Sequence, residues 1–167
     1  MIRAARLFRY SLNMSESCDE QTDWYENERL HRAAESGNLE EVEALLADGF
    51  PINAFDDLSY TPLHRAAIAG DVAAVRCLLQ AGADVNAHQE DRIGDTVLKA
   101  VASNCTLEMA RILVEAGADP TIPGWMMLTA LDKSAERKRL EGKEVHRLLV
   151  AAAKRLNANW SRLPEFS

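Results

Sequence analysis

The sequence repeats itself with a period close to 33 residues, and this self-similarity constrains the fold more than any other feature. His31, His64, Lys99 and Asp132 occupy equivalent positions, at intervals of 33, 35 and 33 residues. Apolar residues recur at helical spacing around each of these positions. A unit of this length cannot bury its own apolar face, so successive copies must stack on one another. The period therefore predicts an array of similar helical units with one continuous apolar seam.

The second copy is the most complete, and it predicts two short helices joined by tight turns. Thr61 can cap a helix through its hydroxyl, and Pro62 suits the first helical position, where no amide donor is needed. One apolar face follows within residues 63–67, and Gly70 suits a left-handed helix exit. Apolar residues in 75–79 recur at helical spacing and predict the second helix.

Two motifs of this copy resemble the ankyrin repeat. They are the threonine-proline-leucine-histidine opening at 61–64 and the glycine-alanine-aspartate close at 82–84, in the family's order. The resemblance covers about residues 28–156 and implies an all-α ankyrin-repeat solenoid of stacked helix-turn-helix units with finger turns. We place the repeats at about 28–54, 55–87, 88–121 and 122–156, after a basic and then acidic flexible segment (1–27) and before a C-terminal tail (157–167).

The third and fourth copies depart from the family pattern. In the third, Lys99 replaces the histidine and Cys105 stands where glycine is expected. Asparagine tolerates the left-handed region better than most residues, so we expect Asn104 to take that conformation at the helix exit. The fourth copy ends in a predicted capping helix, whose buried face comprises Val145, Leu148, Leu149, Ala152 and Leu156.

Charge and cysteine content limit the classes of function. The formal net charge of −7 opposes nucleic-acid binding, which needs a concentrated basic patch. Cys18, Cys77 and Cys105 lie at wide spacings and indicate free thiols in a reducing compartment. Phosphate loops, serine nucleophile elbows and helical zinc motifs are absent from the sequence. We therefore predict a cytoplasmic protein that is not an enzyme and has no cofactor or metal.

His31 and His64 are the obvious candidates for catalysis or metal binding. They lie one period apart, and the sequence shows no third ligand for a metal. The resemblance implies a structural role instead, because the motif histidine of ankyrin repeats hydrogen-bonds between adjacent repeats. His64 matches the motif fully, and His31 matches it in part. A cryptic enzyme that uses these two histidines stays open as an alternative.

Residues 1–13 differ in kind from the rest of the chain. Arg3, Arg6 and Arg9 recur among apolar residues, with no acid before Glu16. This pattern is compatible with a transit peptide or a membrane-surface helix, which is a second alternative. We favour a misassigned upstream start or a disordered tail, because an ordinary soluble start follows at Met14.

The resemblance also implies a binding face. In ankyrin proteins the finger turns and the exposed side of each first helix contact partner proteins. Carried over one by one, the predicted partner-binding residues are Asp57, Leu58, Tyr60, Ile68, Arg92, Ile93, Asp95, Trp125 and Met126. Many of them are more apolar than solvent favours, which indicates a protein partner. Trp125 and Met126 have an alternative role as fillers against the irregular last repeat. We expect a monomer that acts as an adaptor or steric inhibitor, with neither nucleic acid nor membrane as its partner.

Overall fold

The helices follow the pairs that the repeats predict. The computed structural model describes residues 28–89, 94–137 and 140–156. Within these ranges the chain forms α-helices and no strand, and the confirmed all-α fold comprises α1 (Arg29–Ser36), α2 (Leu39–Ala47), α3 (Pro62–Ala69), α4 (Val72–Gln80), α5 (Val97–Val101), α6 (Leu107–Glu115), α7 (Ala130–Ala135) and α8 (Leu140–Leu156). A short 3₁₀ turn, Trp125–Met127, lies between α6 and α7. The predicted N-terminal segment and C-terminal tail lie outside the described residues.

The helices are arranged in two rows. The first helices of successive repeats pack in one row, α1 on α3, α3 on α5 and α5 on α7. The second helices form the other row, in which α2 packs on α4 and α6 packs on α8. The two helices of a repeat also pack on each other, as α1 does on α2, α3 on α4 and α7 on α8. Each helix thus contacts its own repeat and the adjacent ones, which is the arrangement of a solenoid.

Local sequence sets the helix boundaries in the second repeat. The Thr61 hydroxyl accepts the amide of His64, and Pro62 occupies the first turn of α3. Gly70 ends this helix with a φ of 79°, in the left-handed region. The cap and the exit that the motif predicts are therefore both present, and they satisfy groups at both ends of a helix only eight residues long.

The core is the apolar seam between the rows. Leu30, Leu63 and Leu98 occupy the same position in three repeats, and each is at most 1% exposed. Ala33 and Ala66 lie one turn later and are almost fully buried. Their small side chains let the first helices of neighbouring repeats approach closely. Truncation of one of these leucines to alanine is expected to cost about 2 to 5 kcal/mol of unfolding free energy.

The end of α5 differs from the prediction. Asn104 does not take the left-handed conformation, and α5 ends as early as Val101. The Cys105 amide donates to the Val101 carbonyl at 2.8 Å. The Arg137 guanidinium lies 2.8 Å from the Cys105 carbonyl oxygen and 3.5 Å from that of Ala102. The Asn104 prediction is wrong because a side chain from the next repeat satisfies these carbonyls without a left-handed turn.

The last helix buries only part of its predicted face. Val145 and Leu149 are fully buried, whereas Leu156 is 53% exposed. α8 has 17 residues and α6, on which it packs, has 9. The two helices start side by side, since the Leu107 amide donates to Glu141. The C-terminal turns of α8 therefore extend past α6, and the prediction that Leu156 is buried is wrong.

Candidate functional site

The contacts of the two histidines show that they link repeats. His31 Nε2 lies 3.1 Å from the carbonyl oxygen of Tyr60, and His64 Nε2 lies 2.8 Å from that of Asp95. Both acceptors belong to a finger, the loop that leads into the first helix of the following repeat. His64 Nδ1 accepts the Thr61 amide at 3.1 Å, so its Nε2 carries the proton and donates. The structural role predicted for both histidines is confirmed.

The environment of the histidines is unsuited to acid–base chemistry. His64 is fully buried, and this burial lowers the pKa of its imidazole to about 4. The Asp95 carbonyl and nearby carboxylates raise the pKa, but by less. His31 is also buried, and its Nδ1 has no hydrogen-bond partner among the described residues. A general acid or base needs a pKa near the operating pH and access to substrate, and His64 has neither.

An ion pair takes the place of the histidine in the third repeat. Lys99 Nζ lies 2.5 Å from Asp95 Oδ1 and donates to the Trp125 carbonyl oxygen at 3.0 Å. Asp95 Oδ1 also accepts the Trp125 amide at 3.0 Å. A Cβ on Gly124 would lie 2.4 Å from the same Oδ1, so only glycine permits this close approach. The buried Lys99 and the half-buried Asp95 thus hold both polar backbone groups of Trp125.

Asp56 organises the finger before the second repeat, and the sequence analysis does not single it out. Its Oδ1 accepts the amides of Leu58 and Tyr60, both at 2.9 Å. Its Oδ2 accepts the Arg65 Nε at 2.8 Å, and the same guanidinium lies over the Tyr60 ring, 5.5 Å from its centroid. An aspartate that bonds the amide two residues later is a common turn signal, and it was available in the sequence.

Two asparagines that lie one repeat period apart connect the turns that close the repeats. Asn53 Oδ1 accepts the Asp84 amide at 2.9 Å, and Asn86 Oδ1 accepts the Asp119 amide at 2.8 Å. Asp84 Oδ1 in turn accepts the Asn86 amide at 2.9 Å. These aspartates are turn residues, and their carboxylates are not paired with each other for catalysis.

Five of the predicted partner-binding residues are exposed. They are Asp57, Leu58 (62% exposed), Ile68 (46%), Trp125 (57%) and Met126 (66%). Leu58 lies in the first finger, Ile68 on the solvent side of α3, and Trp125 and Met126 in the third finger. The structure therefore leaves a large apolar side chain free to contact a partner in each of these places.

The other predicted residues are either half-buried or outside the described residues. Tyr60 is half-buried and stacks on His64, with ring centroids 5.4 Å apart. Asp95 is half-buried and is bonded to Lys99. Arg92 and Ile93 lie outside the described residues. Tyr60 and Asp95 thus hold the fingers in place, and their contribution to binding stays a prediction.

The third finger presents one more apolar residue that sequence analysis missed. Met127 is 78% exposed, and both Met126 and Met127 have left-handed backbones, with φ of 61° and 59°. This conformation is unfavourable for residues other than glycine, asparagine and aspartate. The sequence contained a signal for this exposed apolar turn, namely three consecutive large apolar residues at 125–127 in a predicted finger.

Comparison with known proteins decides the family. A family model described as ankyrin repeats (3 copies) matches residues 4–89 and 30–124, which together make up well over half of the chain. The chain belongs to the ankyrin-repeat family. No curated protein matches its sequence. Ankyrin repeats are generally modules for binding other proteins and are typically non-catalytic.

Other chemistry in this ankyrin-repeat protein is limited within the described ranges. No group of three or more histidine, cysteine or acidic side chains there is arranged to hold a metal ion. Burial raises the pKa of the Cys77 and Cys105 thiols, which favours the unreactive protonated form. In the same ranges no helix combines the length and the apolar character needed to cross a membrane.

Proposed function

We propose that this ankyrin-repeat protein binds another protein through the side of the stack that carries its fingers and first helices. We call this side the finger face and define it by Asp57, Leu58, Tyr60, Ile68, Trp125, Met126 and Met127, with Arg92, Ile93 and Asp95 from the middle finger. The protein acts as a monomeric adaptor or steric inhibitor in the cytoplasm. Its mechanism is recognition without turnover.

One observation carries this proposal. Six large apolar side chains are exposed in the described part of the chain, and five of them lie on the finger face. The sixth, Leu156, lies at the end of the last helix. The outer side of the second helices instead exposes small or charged residues such as Ala73, Arg76 and Glu108. Exposed apolar surface concentrated on one side of a protein marks a protein-binding site.

The polar surroundings favour a neutral or basic partner. Acidic side chains such as Glu35 on α1 and Asp57 in the first finger are exposed beside the apolar positions. The chain as a whole has a formal net charge of −7. Charged residues at the rim of an interface steer association and exclude partners of the same sign. An acidic partner is therefore disfavoured.

The fingers are held rigidly enough for recognition. The Asp56 carboxylate fixes the first finger, and the Lys99–Asp95 pair fixes the third. Surfaces that are ordered before binding lose less conformational entropy on association. We therefore expect the partner to meet a finger face that is already formed.

The test is affinity capture with the full chain as bait and Ile68→Asp as the disrupting variant. Ala73→Asp is the matched control, because it places the same charge on an exposed position of α4, away from the finger face. We expect a stoichiometric partner to be retained by the unmodified chain and by the control, and lost by Ile68→Asp. With the purified partner, the variant should bind at least about tenfold more weakly. Equal retention by both variants, or no partner, would contradict the proposal.

A further inference from the structure

We infer that Met126 and Met127 form a site of oxidation by hydroperoxides, and that their conversion to sulfoxides weakens recognition at the finger face. The two residues are adjacent in the third finger, and their side chains are 66% and 78% exposed. The oxidation follows from the geometry of this turn alone, whereas its effect on recognition rests on the proposed function. The finger face would then bind its partner under reducing conditions and release it when peroxide is present.

The backbone of the turn holds both side chains outside the fold. The Met127 amide donates to the Gly124 carbonyl at 3.0 Å, and the Gly124 amide donates to the Leu128 carbonyl at 3.0 Å. Trp125 is also fixed, because both of its polar backbone groups are bonded to side chains of the preceding repeat. The turn is therefore held at several points, and the exposure of Met126 and Met127 is a property of this backbone rather than of one side-chain rotamer.

The third methionine of the described residues has the opposite environment. Met109 on α6 is 2% exposed and belongs to the apolar seam of the stack. A peroxide molecule can reach its sulfur only when the stack opens locally. It meets the sulfurs of Met126 and Met127 in the folded protein. The structure therefore separates these thioethers by access, and a thioether is oxidised only by an oxidant that reaches it.

The reaction needs only the thioether and a hydroperoxide. A lone pair of the sulfur attacks one peroxide oxygen, so an S–O bond forms while the O–O bond breaks. The proton of the attacked oxygen moves to the departing oxygen, which leaves as water from hydrogen peroxide or as an alcohol from an organic hydroperoxide. Each sulfur loses two electrons and the peroxide gains them. Methionine sulfoxide reductases reverse the product, so the modification is reversible.

Oxidation changes the apolar character on which recognition depends. Met126 and Met127 are two of the five large apolar side chains that the described part of the finger face exposes. Oxidation converts each of them into a polar, chiral side chain. A partner that covers a sulfoxide must remove its hydration and supply a donor, or else lose binding free energy. Because neither side chain packs in the core, the fold itself should tolerate the change.

The experiment treats the full chain with hydrogen peroxide and follows each methionine by peptide-mapping mass spectrometry. Dithiothreitol is added afterwards, because it reduces reversibly oxidised cysteines and leaves methionine sulfoxides in place. We expect Met126 and Met127 to be oxidised at least about tenfold faster than Met109. The oxidised chain should elute earlier from a hydrophobic-interaction column and should keep its helical circular dichroism spectrum.

The double variant Met126→Leu with Met127→Leu is the matched control, because leucine has a similar volume and no sulfur. Whatever its elution before treatment, peroxide should shift it much less than it shifts the unmodified chain. In affinity capture from lysate, peroxide treatment of the bait should lower retention of the partner by the unmodified chain about tenfold. A methionine sulfoxide reductase should restore that retention. Retention by the double variant should not change on treatment, whatever its starting level.

The outcomes separate the oxidation site from the proposed function. Oxidation of Met109 as fast as that of Met126 and Met127 would overturn the site. Equal effects of peroxide on the unmodified chain and the double variant, or full retention of the partner by a chain that carries both sulfoxides, would overturn the control of recognition. Conversely, sulfoxides at Met126 and Met127 together with a lysate that yields no partner would contradict the proposed function, and with it this control, while leaving the oxidation site in place.

Discussion

Lys99 Nζ donates to the carbonyl oxygen of Trp125 at 3.0 Å, which repeats with a cation the bond that His64 makes one repeat earlier. The two donors occupy equivalent positions, and both reach the backbone of the next finger. The lysine needs an anion that the histidine does not need, and Asp95 supplies it at 2.5 Å. The stack therefore keeps a bond from the first helix to the next finger, although both the donor and the position of the acceptor in the finger have changed.

Replacement of Lys99 by methionine should leave Asp95 without its cation. The Lys99 side chain is 2% exposed and that of Asp95 is 23% exposed, so solvent replaces the lost partner only in part. We expect Lys99→Met to lower the free energy of unfolding by about 2 to 3 kcal/mol. Urea unfolding of the variant and the unmodified chain measures this loss.

A double-mutant cycle with Asp95→Asn provides the control for this pair. If the two side chains stabilise each other, the double variant should recover at least about 1 kcal/mol relative to the sum of the single losses. Strictly additive losses would show that Lys99 and Asp95 act independently, contrary to their contact.

Stability should fall as the pH drops, because His64 is neutral in the fold. Its pKa is 6.5 as an unperturbed group and about 4 when buried. Below about pH 6.5 the unfolded chain binds a proton that the folded chain excludes, so protonation favours unfolding until about pH 4. Above pH 6.5 this contribution to stability is complete, and its loss by pH 4 amounts to about 3 kcal/mol at most. Urea unfolding from about pH 7.5 to about pH 4 measures it.

Two variants isolate the His64 effect from the titration of carboxylates. His64→Gln should be less stable at neutral pH and should show a shallower fall of stability between pH 6.5 and pH 4. Val75→Ala removes buried apolar volume without a titrating group and should keep the original slope. The same slope in all three proteins would mean that His64 is not the group responsible.

Arg137 should stabilise the fold as a cap for the end of α5. Its guanidinium bonds to the carbonyl oxygen of Cys105 at 2.8 Å, and α5 has no left-handed exit of its own. We expect Arg137→Met to cost about 1 to 2 kcal/mol, because this carbonyl would lose a charged donor. Arg76→Met is the control, because the Arg76 side chain is 53% exposed and makes only a long contact of 3.8 Å to Glu108. This variant should lose less than about 0.5 kcal/mol of unfolding free energy. Thermal and urea unfolding that gave equal losses would rule out the capping role.

The Met126→Gly variant of the protein should be more stable than the Met126→Ala variant. Met126 has a φ of 61°, which glycine adopts freely and other residues adopt at a cost. Both Met126→Gly and Met126→Ala remove the exposed side chain, so their difference reports the backbone alone. We expect the glycine variant to be more stable by about 0.5 to 1 kcal/mol in urea unfolding, the reverse of the usual order. A more stable alanine variant would show that the left-handed conformation is not maintained in solution.

Motifs whose groups lie within a few residues of each other were predictable from the sequence. Thr61 caps α3 through the amide of His64, and Gly70 ends the same helix. The link from His64 to the following finger was also predictable, because the ankyrin resemblance implies it and the period places the acceptor one repeat later. These contacts follow from local stereochemistry and from repetition, both of which a single sequence displays.

Contacts that are neither local nor periodic escaped prediction. Lys99 reaches a carbonyl 26 residues away, whereas His64 at the equivalent position reaches one 31 residues away. Arg137 reaches a carbonyl 32 residues away, and the described residues of the other repeats show no counterpart of this bond. The wrong prediction of a left-handed turn at Asn104 has the same origin, because that prediction assumed that the carbonyl groups at the end of α5 must be satisfied locally. Asp56 was predictable in part. The sequence contains its turn signal, but it gives no sign that the buried Asp56 carboxylate pairs with Arg65.

The sequence by itself determined the family, the helix pairs and the apolar seam, because helix periodicity and a 33-residue repeat are properties of residue order. Only the tertiary structure decided which apolar residues remain exposed. Leu58 is exposed while Tyr60 is half-buried, and Leu156 is exposed while Val145 is buried. The physical reason is that the exposure of a side chain depends on what other repeats place over it, and that packing follows from helix lengths and finger shapes rather than from the residue's own type.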